Sequence, residues 1–319
     1  MKKKINLGII GAGRMATFHL EVLSKFDDVS LRAIASTKTG EERRKALCEK
    51  FNILNSYSDY NEMLSSEKLD CVYVVASVEN IYTISMDVLK KGLNVFIEKP
   101  PGLFLNETKK LAEIANSKSL INSVGLQRRY FSHIEYAKEY INSNGKLISI
   151  VVEAPERFDQ IKSKNKFSKK VLDRWLIANG IHCLDLFLFF GGKPIDTKII
   201  SKKINERVNS DTIHALVDFD TGVVGHYMSN WMSPGGWSIK LYCTGFRIDI
   251  KPIEKGKIIF PNGSETELPI NDIDKKFKPG VYKLNRLFID SINNKSNQLK
   301  ELPTIKDSIQ LMSLCEKLL

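Results

Sequence analysis

The chain has 319 residues, 43% of them hydrophobic and 27% charged, and a formal net charge of +11. This length allows two domains with cores of their own, and the balance of apolar and charged residues excludes a disordered or fibrous protein. No apolar run approaches the roughly 20 residues of a membrane-spanning helix, and the run after the first lysines is too short for a secretory leader. We therefore expect a cytoplasmic protein without a membrane partner.

The positive charge does not indicate a nucleic-acid partner. The lysines are spread along the chain, without a zinc finger, an RNA-recognition signature or a basic motif interleaved with aromatic residues. The five cysteines form no CxxC pair, and their odd number argues against a closed disulfide framework. We expect reduced, mostly buried thiols, and no metal site is assigned.

The first part of the chain alternates between apolar runs and amphipathic stretches. Strands are predicted at 5–10, 29–36, 69–77 and 94–98, and helices at 14–26, 39–51 and 80–92. Strands that are apolar on both faces and separated by helices are typical of a parallel sheet with helices on each side. The predicted fold class is α/β, with an N-terminal Rossmann-type doubly wound parallel sheet.

The second part of the chain has a different pattern of predicted strands and helices. After residues 120–130, a helical stretch at 133–145 and another at 181–192 interrupt strand-like runs that are joined by Gly, Asn and Asp turns. Such runs predict a C-terminal α+β domain with a largely antiparallel open sheet. We place a dinucleotide-binding domain at 1–122 and a substrate-binding and oligomerisation domain at 123–319, with the closing helix packing back on the first domain. The open sheet favours a homodimer or homotetramer, because its outer face needs cover.

A glycine turn follows the first strand, in the sequence GAGRMA. Gly11 allows a tight turn, Gly13 lets the backbone approach a pyrophosphate, and Ala16 keeps the helix close to the strand. Because the turn lies between a strand and a helix of an alternating series, we predict a dinucleotide site that includes Arg14 and Met15. The alternative is a turn without a ligand.

The end of the second strand bears on the choice of nucleotide. An NAD site usually has Asp or Glu there, whereas this chain has Ser36, Thr37 and Lys38. No carboxylate repels a 2'-phosphate, and Ser36 and Lys38, together with Arg43, are candidates to bind one. NADP(H) is thus favoured over NAD(H); the alternative is that these are ordinary turn residues and NAD binds without an acidic partner. Ser77 is assigned to the same site.

Together, several stretches carry a resemblance to one family. The strand at 94–98 ends in Glu98-Lys99-Pro100, and the matching stretches further on are VGLQRRY at 124–130, NGIHCLDLFLFFGG at 179–192 and SNWMSPGG at 229–236. With the glycine turn and the alternating first half, they make the chain similar to the Gfo/Idh/MocA oxidoreductases over nearly its whole length. This resemblance implies an NAD(P)-dependent enzyme, commonly acting on a sugar, polyol or nucleotide-linked sugar.

The resemblance also implies roles for residues. Lys99 is expected near the nicotinamide and the reacting hydroxyl, as the acid or base, and His182 is expected to face the same site; Glu98 is assigned to the cofactor. A lysine whose pKa is lowered by burial beside a cationic nicotinamide can accept and donate the hydroxyl proton. Asp185, one helical turn after His182, is a candidate to orient that histidine.

The sequence departs from the family at one position. Many members have an Asp four residues before the histidine, where this chain has Ala178. Either Lys99 and His182 suffice, or Asp173, Arg174 or Asn179 substitutes, or the protein binds its ligands without efficient turnover. The departure weakens an assignment to inositol-type polyols in particular.

A basic segment precedes the histidine-bearing helix. Its lysines, from Lys162 to Lys170, are either a solvated surface loop or, together with Arg157 and Arg174, part of a pocket for an anionic substrate. Arg128 and Arg129 are second candidates, with a salt bridge between domains as the alternative. The predicted substrate-binding residues are Lys99, Arg128, Arg157, Arg174, Asn179 and His182.

The predicted function is the interconversion of a secondary alcohol and a ketone on a sugar, sugar acid or nucleotide-linked sugar. Reduction of an imine-like or unsaturated substrate is an alternative within the same class. A redox sensor or scaffold that has kept the nucleotide site and lost turnover is the alternative from another class.

Overall fold

The computed structural model describes residues 4–163, 167–204, 210–293 and 301–319. The chain forms two compact units, the first comprising Met1–Gln127 with Ile273–Ile309 and the second Arg128–Asp272 with Gln310–Leu319. This division differs from the boundary predicted between residues 122 and 123, because a late segment of the chain joins the first unit.

The first unit contains a parallel sheet and its helices. Its strands are β1 (Ile5–Ile10), β2 (Val29–Ala35), β3 (Asn55–Tyr57), β4 (Cys71–Val74), β5 (Asn94–Ile97) and β6 (Asn122–Val124). Its helices are α1 (Arg14–Leu23), α2 (Glu41–Phe51), α3 (Tyr60–Ser66), α4 (Ile81–Lys90), α5 (Leu105–Ser117) and, from the late segment, α10 (Asp272–Lys276) and α11 (Val281–Ile292). Among the described residues, six strands pair in the order β3-β2-β1-β4-β5-β6, all parallel. The predicted doubly wound sheet is confirmed.

The sheet of the first unit aligns the ends of its central strands. Ile10 pairs with Ala35 and with Val74, and Val74 pairs with Ile97, so the last residues of β1, β2, β4 and β5 lie in one row. The chain that leaves each strand therefore begins at the same edge, where open α/β sheets bind their ligands. We call this row of strand ends the carboxyl edge.

Helix α1 is amphipathic, with a buried face at Ala16, His19, Leu20 and Leu23. These positions follow the i, i+3, i+4, i+7 spacing of a helix that covers a core. Helix α11 packs on α1 and buries a matching face, and one histidine is included in that face of α1. A polar side chain buried on such a face needs a hydrogen-bond partner.

The second unit contains a larger sheet. Its strands are β7 (Leu147–Glu153), β8 (Pro194–Lys202), β9 (Thr212–Phe219), β10 (Val224–Asn230), β11 (Ser238–Cys243), β12 (Phe246–Ile250), β13 (Gly256–Ile259) and β14 (Glu265–Glu267). Its helices are α6 (Ser132–Asn144), α7 (Phe158–Ser163), α8 (Lys169–Leu172), α9 (Ile181–Gly191) and α12 (Ser308–Leu318). Within the described ranges, these strands pair in the order β14-β13-β12-β11-β7-β10-β9-β8, antiparallel except for β7 with β10. The largely antiparallel open sheet is confirmed.

One face of this sheet is covered by helix α9, which packs on β7 and β10. The ring of Phe187 on α9 lies 5.1 Å from that of Phe219, measured between centroids. The opposite face exposes apolar side chains, since Ile200 is 66% exposed and Leu216 is 54% exposed. Helix α11 packs on α1 within the first unit, and most of α12 belongs to the second unit. The packing of the closing helix on the first domain stays a prediction.

Candidate functional site

The glycine turn lies at the carboxyl edge, directly after β1. Gly11 has φ +118°, and a Cβ there would stand 2.2 Å from the carbonyl oxygen of Val75, so only glycine fits. The N–H of Gly11 donates to the carbonyl of Ala35 at 2.8 Å. The turn is thus fixed between the ends of β2 and β4.

Helix α1 begins immediately after Gly13. A Cβ added at Gly13 meets nothing within 4 Å, so the backbone of this turn stays open to an approaching group. The first turn of α1 carries no acidic side chain, and the backbone of Arg14 and the partly buried Met15 form it. Uncompensated N–H groups at a helix N-terminus favour an anion, which is the feature that a pyrophosphate needs.

A buried arginine organises the end of β2. The Nη1 of Arg44 donates to the carbonyl of Ser36 at 2.9 Å and to its hydroxyl at 3.1 Å, and its Nε donates to the hydroxyl of Ser56 at 2.9 Å. Sequence reasoning missed Arg44, because nothing in the letters EERRK separates the buried arginine from its exposed neighbour Arg43. Thr37 and Lys38 are exposed beyond this anchor.

Ser77 lies three residues beyond β4, at the same edge. Its hydroxyl accepts a hydrogen bond from Nδ2 of Asn80 at 3.1 Å, and its carbonyl accepts the N–H groups of Asn80 and Ile81. Ser77 is exposed and leads into α4. The first unit therefore brings the predicted cofactor residues from three strand ends to one edge.

Two residues with different surroundings follow β5. Lys99 is half-buried, whereas Glu98 is only 6% exposed. The Glu98 Oε1 lies 3.0 Å from Nε2 of His19, and Nδ1 of the same ring lies 3.0 Å from Oδ1 of Asn285. Glu98 was predicted to bind the cofactor, but its carboxylate is engaged inside the core of the first unit. The prediction missed His19 and Asn285, since a histidine and an asparagine on apolar helix faces look like ordinary core residues.

In the second unit, a one-turn π-helix at Leu176–Gly180 precedes α9. Such turns are frequent at functional sites, because they change the direction of the following side chains. The Nδ2 of Asn179, in this turn, donates to Oε1 of Glu156 at 2.8 Å. Glu156 is 7% exposed and His182, two residues into α9, is 5% exposed. Sequence reasoning did not identify Glu156.

Arg128 lies against aromatic rings in the same unit. Its guanidinium carbon lies 4.5 Å from the ring centroid of Trp237 and 5.8 Å from that of Phe131, and the ring of His182 lies 6.4 Å from Trp237. The Nε and Nη1 of Arg128 are buried and have no hydrogen-bond partner in the part of the chain that the structure describes. Burial lowers the pKa of this guanidinium, although arginine stays charged. We call Arg128, Trp237 and His182 the Arg128 cluster.

Asp185 has a different partner from the predicted one. Both of its oxygens accept from Nε of Arg129, at 2.9 and 2.8 Å, and Nη2 of Arg129 also contacts Oδ1. Asp185 is completely buried; burial raises the pKa of its carboxyl, and the guanidinium opposes that rise. The expectation that Asp185 orients His182 is therefore wrong, and the pair of Arg129 with Asp185 lies within the second unit.

The structure describes only part of the basic segment. Arg157 is exposed, and Nη2 of Arg174 donates to Oε1 of Glu316 at 2.6 Å. Lys169 pairs with Asp173 at 2.7 Å. Lys164 and Lys166 lie outside the described residues, as does the side chain of Lys162.

The described residues contain neither a metal-binding cluster nor a membrane-spanning helix. No group of three or more His, Cys, Asp or Glu side chains is arranged to hold a metal ion in the described ranges. Across the same ranges, no helix combines the length and apolar character needed to cross a bilayer. Over those ranges the five cysteines are free thiols, and burial raises the pKa of Cys243 to about 11.

Comparison with known proteins yields two family models. A model described as the oxidoreductase family with an NAD-binding Rossmann fold, GFO_IDH_MocA, matches residues 5–126, and one for the GFO/IDH/MocA C-terminal domain matches residues 134–249. A curated relative, the myo-inositol 2-dehydrogenase of Thermotoga maritima, is 24% identical over 281 residues, which are 84% of this chain and 78% of the relative.

Solved structures share the fold. An oxidoreductase from Agrobacterium radiobacter, in complex with NAD⁺, L-tartaric acid and magnesium, has a TM-score of 0.79 at 16% identity and covers 98% of this chain and 95% of its own. The UDP-N-acetylglucosamine 3-dehydrogenase of Acidithiobacillus ferrooxidans has a TM-score of 0.77 at 15% identity and covers 99% and 96%.

Proposed function

The chain belongs to the Gfo/Idh/MocA family of oxidoreductases, and on that premise we propose that it interconverts a secondary alcohol and a ketone on a sugar, sugar acid or nucleotide-linked sugar. It is an NAD(P)-dependent dehydrogenase that acts on CH–OH groups. The observation that carries the proposal is the alignment of the ends of β1, β2, β4 and β5 at the carboxyl edge. The glycine turn, Ser36, Ser77 and Lys99 each follow one of these strand ends.

The residues at this edge fit a dinucleotide. The open backbone at Gly13 and the N-terminus of α1 offer N–H groups to a pyrophosphate, and Gly11 keeps the turn clear of β4. Ser36, held by Arg44, and the exposed Lys38 would hold a 2'-phosphate, and we propose NADP(H) as the preferred cofactor for that reason. A nicotinamide held there would supply the acceptor for a hydride from the alcohol carbon and, in its reduced form, the hydride for the ketone.

The chain's own contribution is movement of the hydroxyl proton. Loss of hydride from an alcohol carbon requires a base at the oxygen, and the reverse reaction requires an acid. Lys99 is half-buried and lies two residues beyond the end of β5, and its ammonium can exchange one proton with the substrate oxygen. Lys99 is the group to which we assign that exchange.

The Arg128 cluster supports an anionic substrate. Two buried guanidinium nitrogens of Arg128 have no partner among the described residues, and Trp237 holds the planar group in place. A guanidinium with unused donors matches a carboxylate or phosphate, and leaving it unpaired costs free energy. We propose that Arg128 binds the acidic group of a sugar acid or nucleotide-linked sugar and that His182 binds one of its hydroxyls.

Turnover tests the proposal. The purified protein is supplied with NADPH or NADH and with neutral sugars, sugar acids and nucleotide-linked sugars, and nicotinamide absorbance is followed. We expect turnover with an anionic member of the panel, and a fall in kcat of about a hundredfold or more in Lys99→Ala. The matched control is Lys91→Ala, an exposed lysine just before β5. An unchanged kcat in Lys99→Ala would contradict the assigned role.

A second candidate function is supported by one observation. Ala178 stands where many family members carry an Asp, and it is 5% exposed within the π-helical turn. A sensor or scaffold that binds NADP(H) without turning over substrate is consistent with that loss. Tight cofactor binding with no turnover across the whole panel would favour it over the enzyme.

A further inference from the structure

Three polar side chains meet in the core of the first unit, directly before Lys99. His19 is 1% exposed, Asn285 is completely buried and Glu98 is 6% exposed. The imidazole bridges the other two, with 3.0 Å from Nε2 to Glu98 and 3.0 Å from Nδ1 to Asn285. Each residue comes from a different element, α1, α11 and the end of β5.

The imidazole is held firmly. Its ring lies edge-on to Tyr73, 5.5 Å between centroids, and to Phe96, 4.9 Å between centroids. Tyr73 and Phe96 stack on one another, and both contact Phe288 of α11. A ring enclosed in this way has few other rotamers available, so it fixes the carboxylate that it contacts.

The carboxylate of Glu98 in turn lies close to two segments of backbone. Its Oε2 accepts the N–H of Lys99 at 3.3 Å. A Cβ at Gly125 would stand 2.9 Å from Oε1, so a side chain at this position after β6 would displace the carboxylate. Glu98 therefore occupies a fixed place between the chain that leaves β5 and the chain that leaves β6.

Stability alone is a poor explanation for this arrangement. A buried carboxylate and its partners lose hydration, and apolar side chains of similar volume often stabilise a core as well or better. The surrounding residues are aromatic and apolar, so such a replacement would fit the neighbourhood. The polar cluster is one peptide bond from the residue that carries the proposed chemistry.

We propose that His19 and Asn285 are positioning residues: they hold Glu98, and Glu98 holds the backbone N–H of Lys99 and so fixes where its amine is presented. This inference rests on the role proposed above for Lys99. A displacement of about 1 Å at a catalytic group can cost about a hundredfold in rate, so loss of the bridge acts on kcat. Cofactor binding at the glycine turn is untouched by it.

A double-mutant cycle tests the inference. His19→Leu removes both hydrogen bonds, His19→Gln keeps an N–H donor, and each is made in the wild-type chain and in Lys99→Ala. We expect His19→Leu to lower kcat about tenfold or more with an unchanged dissociation constant for the cofactor, His19→Gln to recover part of the loss, and neither to lower kcat further in Lys99→Ala. Asn285→Leu should act in the same direction as His19→Leu, so the test does not depend on one variant folding.

The control is Ser291→Ala. It removes a buried hydrogen bond to Leu287 on the same helix as Asn285, and should lower the melting temperature without changing kcat. The inference is overturned if His19→Leu lowers kcat by the same factor in both backgrounds, or lowers only the melting temperature. If Lys99→Ala itself leaves kcat unchanged, the function proposed for Lys99 fails instead.

A readout without turnover completes the test. The rate at which trinitrobenzenesulfonate modifies Lys99 is measured by mass spectrometry in wild type, His19→Leu, Asn285→Leu and Ser291→Ala. A severalfold change in the modification rate in His19→Leu and Asn285→Leu, with no change in Ser291→Ala, supports the inference. Equal rates in all four proteins would overturn it, whatever the substrate.

Discussion

At the scale of single residues, the chemistry of this chain depends on which polar groups are already engaged. Asp185 follows His182 by one helical turn, and its spacing alone suggested a pair. Its carboxylate instead accepts hydrogen bonds from Nε and Nη2 of Arg129 inside the second unit. Spacing along a helix shows which residues can face the same side, but the partner is chosen by a residue distant in sequence.

The Arg129–Asp185 pair makes a prediction about stability. Asp185 has no exposed side-chain area, so Asp185→Asn leaves a partly buried guanidinium without its counter-charge. We expect the free energy of unfolding to fall by about 3 kcal/mol, measured by urea denaturation. The double variant Arg129→Met, Asp185→Leu should recover much of that loss. Equal stability of wild type and Asp185→Asn would show that the pair contributes nothing.

At the scale of elements, the sequence predicted strands correctly where the apolar pattern was long and regular. The apolar runs at 5–10 and 29–36 form β1 and β2. A strand that is buried on both faces has apolar residues at most of its positions, and this pattern is visible in the sequence. Strands β3 and β14, each of three residues, have no period to detect and were not predicted. Strand β8 was missed as well, since most of its side chains are exposed and its isoleucines do not alternate regularly with polar residues.

The open face of the large sheet makes a prediction about assembly. Ile200, Leu216 and Val224 are each more than half exposed on the face opposite α9. A homodimer or homotetramer that pairs these faces stays a prediction, and light scattering on the purified protein measures it. Leu216→Glu should shift the mass to that of a monomer, whereas Leu54→Glu, an equally exposed leucine in the first unit, should not. A monomeric wild-type protein would contradict the prediction.

At the scale of the whole molecule, the two units contribute different groups of candidate site residues. Lys99 and the residues proposed to bind the cofactor come from the first unit, and the Arg128 cluster comes from the second. Lys99, His182 and Arg128 could be predicted from the sequence, because each belongs to a motif. Such motifs lie beside turns and strand ends, where the local sequence pattern is recognisable. It could not reach His19, Glu156 or Trp237, because their partners are brought to them only by the folded chain.

We propose above that the carboxyl edge of the first unit binds NADP(H). Fluorescence titration of the purified protein with NADPH and with NADH measures this most directly. We predict tighter binding of NADPH, and a weakening of about tenfold for NADPH alone in Lys38→Ala, because one charged contact to a phosphate is lost. Lys50→Ala, in the last turn of α2, is the control and should change the affinity for neither nucleotide. Tighter binding of NADH would contradict the assignment of Lys38, and failure of both nucleotides to bind would contradict the account as a whole.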